Sequence, residues 1–317
     1  MKPDIYNAIK YQARSNCELR QRSCVDCKAD WQKVVRIKDH ETNLGEFDVY
    51  FCRTCNLGFT DPHPTEETSG YLYEAKENSD FDIIRHSFID KIKDFLGFRL
   101  IARLAPHKNI RAVLDYGTGN GRFAMSAAKV FPSARVDAVD YQVDPPQLLQ
   151  IAATSSNQVN YCDAATFAEQ HVNTKYDIII LRHVLEHTYH PVNLIKYLSE
   201  RLDADGVIYV EVPNLDSGCA KIFGKYWKGY YVPRHIYHYT INSLKEIANL
   251  CELEVEIGRN EMPLMGNTIS ILTGADKSNT FVQGLGILLH PVQLAIEALY
   301  RSSTCINARY RRLKYKG

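Results

Sequence analysis

Residues 115–121 read Asp-Tyr-Gly-Thr-Gly-Asn-Gly and join the apolar run Ile110–Asp115 to an apolar-periodic stretch that begins at Arg122. This pattern predicts a strand, a tight turn and a helix. Glycine permits such a turn and lets a ligand approach the backbone closely. Because the N–H groups at the start of the helix favour polar ligand groups, the turn predicts a nucleotide-like ligand at a strand end.

The glycine spacing separates two classes of nucleotide site. A dinucleotide fingerprint, G-x-G-x-x-G, would need glycine at the sixth position counted from Gly117, where Arg122 stands. Asp140 ends the next apolar run, Ala134–Asp140, and a carboxylate there can accept both ribose hydroxyls. Gly117, Gly119, Gly121 and Asp140 therefore predict a nucleoside ligand that is not a dinucleotide.

Strands and helices alternate on both sides of the turn, which predicts an α/β fold with a mostly parallel sheet covered on both faces. Ligands of such sheets bind at the carboxyl ends of the strands. The remaining predicted strands are Val159–Cys162, Tyr176–Leu181, Gly206–Val212, Leu253–Ile257 and Thr268–Leu272. The predicted helices are Arg122–Phe131, Gln147–Ala153, Pro191–Leu202 and Ile241–Cys251.

The chain of 317 residues is long enough for this domain and small additions. We expect a module over residues 1–64, a helical connector or lid over 65–106, the α/β domain over 107–276, and a C-terminal helix with a basic tail over 277–317. Lys and Arg total 38 against 37 for Asp and Glu, so charge gives no general reason to expect nucleic acid.

Two C-x-x-C pairs, Cys24 with Cys27 and Cys52 with Cys55, lie in the first 64 residues. Four thiolates suit a tetrahedral structural Zn²⁺, which would stabilise a module too small to build its own core. A redox role is the weaker interpretation, because there are two pairs and neither opens a thioredoxin-like helix. The odd total of nine cysteines argues against a secreted disulfide framework, so we expect a cytoplasmic protein.

The glycine turn resembles motif I of the class I S-adenosylmethionine-dependent methyltransferases, which have a Rossmann-like sheet whose last strand is antiparallel. The resemblance implies that S-adenosylmethionine is the methyl donor. It also implies that Asp115 anchors the loop or the cofactor ammonium, that Asp140 binds the ribose, and that Asp163 binds the adenine amino group. The implied cofactor set is Asp115, Gly117, Thr118, Gly119, Gly121, Asp140, Tyr141, Asp163, Ala164 and Arg182. An isolated aspartate such as Asp163 can equally be a helix cap.

Downstream motifs narrow the resemblance. The segments Arg182–His187, Glu211–Asn214, Phe223–Trp227 and Pro233–Thr240 are similar to those of a methyltransferase subfamily found in bacterial polysaccharide and sugar modification. Members often carry an N-terminal zinc module that ends in a segment like Cys52–Pro62. The resemblance implies a small-molecule or glycan acceptor. The alternative is an RNA methyltransferase that binds substrate through its zinc knuckles.

Histidine suits the base that a hydroxyl or acidic-carbon acceptor needs near pH 7. His187 is the first candidate, because it follows the fourth strand of the α/β domain. Glu186, His235 and His238 are further catalytic candidates, and a structural hydrogen bond is the alternative for each histidine. Glu186-His187 also matches part of the ExxEH metal site of some quinone O-methyltransferases, but His183 replaces the first glutamate.

The C-terminal region combines an apolar helical pattern with a basic tail, whose cations are Arg301, Arg309, Arg311, Arg312, Lys314 and Lys316. Such a region can lie on the cytoplasmic face of an anionic membrane. It can also pack on its own domain, or on a second subunit of a homodimer.

Overall fold

The computed structural model describes residues 9–12, 31–41, 43–74, 88–105, 107, 109–153, 159–260, 265–274 and 280–313. Its centre is a seven-stranded sheet, and the glycine turn follows one of the inner strands of that sheet. The strands are β6 (Ala112–Tyr116), β7 (Arg135–Asp140), β8 (Val159–Asp163), β9 (Tyr176–Arg182), β10 (Leu202–Pro213), β12 (Leu253–Asn260) and β13 (Cys305–Arg312).

The strand order across this sheet is β12-β13-β10-β9-β6-β7-β8. The five strands β6 to β10 run parallel, and β13 is antiparallel to both β10 and β12. The expected Rossmann-like sheet with an antiparallel last strand is therefore confirmed. Because the order reverses between β6 and β9, their carboxyl ends border the crevice in which such folds bind ligands.

Helices cover both faces of the sheet. One face carries α6 (Ala164–Gln170), α7 (Pro191–Glu200) and α9 (Ile241–Leu250), whose apolar side chains join one core cluster. The other face carries α3 (Phe88–Leu104), α4 (Arg122–Val130) and α5 (Gln147–Ala153), which form a second cluster. The remaining described helices are α1 (Glu66–Ser69), α2 (Tyr71–Glu74), α8 (Gly218–Phe223), α10 (Met265–Thr273), α11 (Thr280–Leu288) and α12 (His290–Leu299).

Two expectations about the C-terminal part are wrong. Residues 268–272 were expected to form a closing strand, but they lie in helix α10. The closing strand is instead β13, which occupies most of the expected basic tail. Its Arg309 and Arg311 face Glu256 on the neighbouring strand, each with one nitrogen 3.3 Å from a carboxylate oxygen. These two arginines therefore pair across the sheet, and Cys305–Arg312 belongs to the central sheet, whereas the expected helical part corresponds to α11 and α12.

A second sheet lies before the central one in the sequence, with β2 (Trp31–Lys38), β3 (Glu46–Cys52) and β4 (Leu57–Asp61) in antiparallel array. Its fourth strand is β11 (Tyr237–His238), which comes from the later part of the chain and pairs with β4. The strands that flank this sheet in the sequence, β1 (Tyr11–Gln12) and β5 (His63–Pro64), pair with each other in a separate antiparallel ladder. The N-terminal module is thus completed by residues of the α/β domain.

The expected zinc ligands are only partly described. Cys52 ends β3, and Cys55 lies in the turn before β4; both side chains are buried, at 0% and 3% exposed. Asn56, with φ of 54°, completes the tight turn. Cys24 and Cys27 lie outside the described residues.

No helix among the residues that the structure describes is long and apolar enough to cross a bilayer.

Candidate active site

The side chain of Asp115, near the end of β6, holds the glycine turn through hydrogen bonds. Its carboxylate oxygen accepts hydrogen bonds from the Thr118 hydroxyl at 2.6 Å and from the Ala124 backbone N–H at 3.0 Å. Burial raises the pKa of Asp115 to about 6, although these two hydrogen bonds oppose the shift. Asp115 therefore anchors the loop, which is one of the two roles that the sequence left open.

Asp140 closes the turn from the neighbouring strand β7. One carboxylate oxygen accepts from the Gly119 N–H at 2.7 Å, and the other accepts from the Tyr141 N–H at 2.8 Å. Each oxygen keeps a further lone pair, so the carboxylate can still accept hydroxyls. Gly117, Gly119 and Gly121 have φ of 75°, 55° and 80°, and the side chains of Val184 and Leu149 pack where β-carbons on Gly117 and Gly121 would lie. These residues fit the ribose and amino-acid parts of S-adenosylmethionine.

Two further residues of the implied cofactor set have structural partners. Asp163 caps α6 and accepts from the N–H and hydroxyl of Thr166, both at 2.9 Å. It is the cap that the sequence left as an alternative, and Ala164 begins that helix. Arg182 donates to Glu211 at 2.6 Å and stacks over the Phe123 ring. Asp163 and Arg182 therefore both have structural contacts within the protein, in addition to any role in binding the cofactor.

His187 lies in a single helical turn, Leu185–His187, that follows β9. Its Nδ1 is 3.0 Å from the carbonyl oxygen of Arg234 and 2.9 Å from the hydroxyl of Tyr73. Because a carbonyl oxygen can only accept, Nδ1 carries the proton and Nε2 keeps its lone pair. Burial lowers the pKa of His187 below its usual 6.5, while the Glu186 carboxylate opposes the shift. His187 is therefore neutral at pH 7.

Tyr73 links this histidine to the cofactor side. Its ring lies 5.5 Å from the ring of Tyr141, which directly follows Asp140. It precedes His187 by 114 positions in the sequence. Tyr73 precedes the α/β domain and is interpreted from the sequence as part of a lid over the cofactor or as simple packing, but no local pattern relates it to His187, so this contact could not be predicted.

Glu186 and Glu211 hold His183 between them. Nδ1 of His183 is 3.1 Å from a Glu186 oxygen, and its Nε2 is 3.6 Å from a Glu211 oxygen. Burial alone would lower the pKa of His183, but the two carboxylates raise it to about 9. The backbone of His183 is left-handed, with φ of 55°, a conformation that non-glycine residues adopt mainly where surrounding contacts impose it. His183 is thus a partly buried cation beside His187.

The other two candidate histidines differ in their surroundings. The His235 ring packs 4.7 Å from the ring of His187, and its Nδ1 donates to the Gly229 carbonyl at 2.9 Å. Burial lowers the pKa of His235 well below 6.5. His238 lies in β11 and is 3.0 Å from the Thr60 hydroxyl oxygen, in contact with the N-terminal sheet. The structure therefore places His235 with His187, whereas His238 joins the two sheets.

Ligand atoms of Glu186, His187 and His235 all lie within 4.8 Å of one another, so their spacing alone would permit a divalent cation. The local charge opposes one. His183 is protonated, and its charge and that of Arg234 both act to lower the pKa of His187. Arg182, which pairs with Glu211, is a third cation in this cluster, so three cations stand against the two carboxylates of Glu186 and Glu211. The cluster is therefore better suited to an anion or a neutral hydroxyl than to a metal.

Most aromatic side chains of residues 226–239 are not available to a ligand. Trp227, Tyr230, Tyr237 and Tyr239 are all buried at 3% exposure or less. Within this segment, Tyr226 and Tyr231 are partly exposed. Stacking of a sugar face on this segment would therefore be limited to these two rings.

A family profile described as "Methyltransferase domain" matches residues 88–256, more than half of the chain. This chain belongs to the methyltransferase-domain family. The methyltransferase is also 34% identical over 74 residues to the release factor glutamine methyltransferase of Aliivibrio fischeri. That match covers 23% of the methyltransferase and spans only 26% of its relative. The family assignment makes the chain an S-adenosylmethionine-dependent methyltransferase.

Solved structures share the fold. The cyclase SpnF superposes with a TM-score of 0.52 at 16% identity, covering 80% of the methyltransferase and 98% of its own chain. The plantazolicin methyltransferase BpumL, solved with S-adenosylhomocysteine and a substrate analogue, gives 0.48 at 16% identity and covers 77% and 94%. Because one of these folds belongs to a cyclase, the architecture alone does not define the reaction.

Replacing Gly117 with alanine should weaken cofactor binding at least about tenfold, because a β-carbon at positive φ is strained and would overlap the Val184 side chain. Calorimetric titration with S-adenosylhomocysteine measures the change. Gly70→Ala is the matched control, since a β-carbon there meets nothing within 4 Å. Unchanged affinity in Gly117→Ala would show that the turn does not line the cofactor site.

Proposed function

We propose that the enzyme methylates a sugar, a sugar nucleotide or a glycan intermediate, at oxygen or at an acidic carbon, with His187 as general base. The observation that carries the proposal is the position of Tyr73. Its hydroxyl contacts His187 and its ring contacts Tyr141 beside Asp140, so the base lies next to the methyl-donor side. The motifs shared with the sugar-modification subfamily support the acceptor class.

S-adenosylmethionine, when bound, supplies an electrophilic methyl group on sulfur. The acceptor atom forms a bond to the methyl carbon while the carbon–sulfur bond breaks, which leaves S-adenosylhomocysteine. The acceptor proton passes to Nε2 of His187, the nitrogen that keeps a lone pair while Nδ1 donates to the Arg234 carbonyl. The Glu186 carboxylate favours the resulting imidazolium, because its charge raises the pKa of His187.

Arg234 supports an acceptor that carries a negative charge. Its side chain is buried, at 2% exposed, and one nitrogen donates to the Leu72 carbonyl at 2.8 Å. Nε and Nη1 are also buried, and neither has a hydrogen-bond partner among the residues that the structure describes. A buried guanidinium with open donors favours a phosphate or carboxylate. A sugar nucleotide would bring such a group next to His187.

The acceptor class is tested by incubating the enzyme with labelled S-adenosylmethionine and three sets of acceptors. These are nucleotide sugars, the same sugars without the nucleotide, and short RNA oligonucleotides. We expect label in the nucleotide sugars, with turnover at least about tenfold above the free sugars, because only the former offer phosphates to Arg234. Label in RNA alone would replace the proposal with the RNA methyltransferase alternative.

The base is tested with His187→Asn, which can still donate to the Arg234 carbonyl but cannot take a proton near neutral pH. We expect kcat for the best acceptor to fall by about 100-fold or more, with S-adenosylhomocysteine affinity unchanged. The wild-type kcat should fall as the pH drops below the His187 pKa, which lies under 6.5, because protonation removes the base. His190→Asn, whose side chain is 55% exposed, is the control. A wild-type kcat in His187→Asn would exclude this role.

We also propose a structural Zn²⁺ held by Cys24, Cys27, Cys52 and Cys55. Two observations support it: Cys52 and Cys55 are both buried at a tight turn, and Trp31 pairs directly with Cys52. Cys27 precedes Trp31 by four positions, a stretch that spans at most about 14 Å. Four thiolates leave no open coordination position, so this metal would stabilise the module and take no part in methyl transfer.

Elemental analysis of the purified protein should find about one zinc per chain. Cys52→Ser should lower both the zinc content and the melting temperature, because metal binding and folding of such modules are coupled. Cys251→Ser, at the C-terminal end of helix α9, should keep its zinc. Wild-type protein prepared without chelator that contains no zinc would contradict the proposal.

A further inference from the structure

Helix α12 has its polar and apolar sides reversed relative to an ordinary surface helix. Gln293 and Glu297 are buried, at 0% and 1% exposed. Val292, Leu294 and Leu299 are instead 48%, 41% and 79% exposed. A surface helix normally turns its apolar stripe to the core, so this arrangement needs a second environment on its outer side.

The orientation of α12 is fixed by its buried carboxylate. Glu297 accepts from the backbone N–H groups of Gly218 and Cys219, both at 3.0 Å, and from the Ser302 hydroxyl. These N–H groups are the first of helix α8, so the carboxylate sits where the helix dipole favours negative charge. Rotating α12 to hide its leucines would break all three contacts. The exposed apolar side is therefore built into the fold.

Neighbouring elements extend the same surface. Helix α11 contacts both α10 and α12, and α12 contacts α8. Leu288 and Ile287 on α11 are 72% and 61% exposed. We name the outward-facing set the apolar face; it consists of Ile222, Leu272, Ile287, Leu288, Val292, Leu294 and Leu299.

A basic cleft borders this apolar face. Its lining includes Lys38, His40, Lys225 and Lys228, one acid, Glu41, which pairs with Lys228, and Ile271, which directly precedes Leu272 of the apolar face. Lys221, next to Ile222, lies 5.9 Å from the ring of Tyr300. From residue 281 to residue 303 the sequence has one acid, Glu297, and it is buried. The surface thus joins exposed leucines to cations, with no exposed carboxylate on that segment.

We propose that the apolar face and the basic cleft dock the enzyme on an anionic bilayer. Helices α11 and α12 have nine and ten residues, so they lie along the interface and do not span it. Leucines enter the acyl boundary while the lysines reach the headgroups. A second copy of the chain fits less well, because a two-fold contact through this face would bring the same cations together. The proposal does not depend on the identity of the acceptor.

The test is co-sedimentation with vesicles of phosphatidylcholine alone and of phosphatidylcholine with about one-third phosphatidylglycerol. We expect binding to the anionic vesicles, weaker binding at high salt, and little binding to the neutral ones. Leu288→Ser with Leu299→Ser should lower the partition coefficient by at least about tenfold. Val172→Ser removes an apolar side chain that is 57% exposed elsewhere on the enzyme, and it should bind like the wild type.

S-adenosylhomocysteine affinity, measured in parallel, reports whether each variant is folded. Equal sedimentation of the double variant and the wild type would overturn the proposal, as would equal binding to neutral and anionic vesicles. Light scattering that finds a dimer which the leucine substitutions dissociate, in a protein that does not bind vesicles, would assign the apolar face to a second copy.

Discussion

The carboxylate of Glu211 is fully buried in the central sheet and has a partner on every side. One oxygen accepts from Arg182 at 2.6 Å and faces His183, and the other accepts from Tyr209 at 2.7 Å and Asn260 at 2.5 Å. A buried carboxylate is tolerated only when its charge and lone pairs are satisfied in this way. Its pKa is accordingly held well below the usual range, since the neighbouring cations outweigh the effect of burial.

The charge of Glu211 contributes to the protonation of His183. Together with Glu186 it keeps His183 protonated, whereas burial keeps His187 and His235 neutral. One cluster therefore holds a fixed cation, which hydrogen-bonds to Glu186, and two neutral imidazoles whose ligand atoms lie within 4.8 Å of the same carboxylate. Environments that separate the pKa values of like groups are how an active site divides acid, base and positioning roles.

Local features of the sequence predicted well, and features that depend on distant partners did not. The glycine turn, Asp115 and the five parallel strands follow from patterns a few residues long, and they appear as predicted. The strand β13 looked like a basic tail, because its arginines gain a partner only when Glu256 lies beside them. Residues 268–272 have strand-like composition, yet they lie in α10 and contact Gly224–Tyr230 and α11. Tyr73 reaches the site only through tertiary structure.

Strand β11 has a consequence for folding. Its residues, Tyr237 and His238, form the edge of the N-terminal sheet and lie just after Arg234 and His235 in the sequence. The backbone N–H of Thr60 also donates to the carbonyl oxygen of Ile236, the residue before β11. The N-terminal sheet and the loop that carries the acceptor-side residues therefore share one set of main-chain hydrogen bonds. The two parts therefore form a single cooperative unit. Local unfolding of the small sheet would release the segment that orients His187. Such unfolding would weaken acceptor binding and turnover first, and cofactor binding only later.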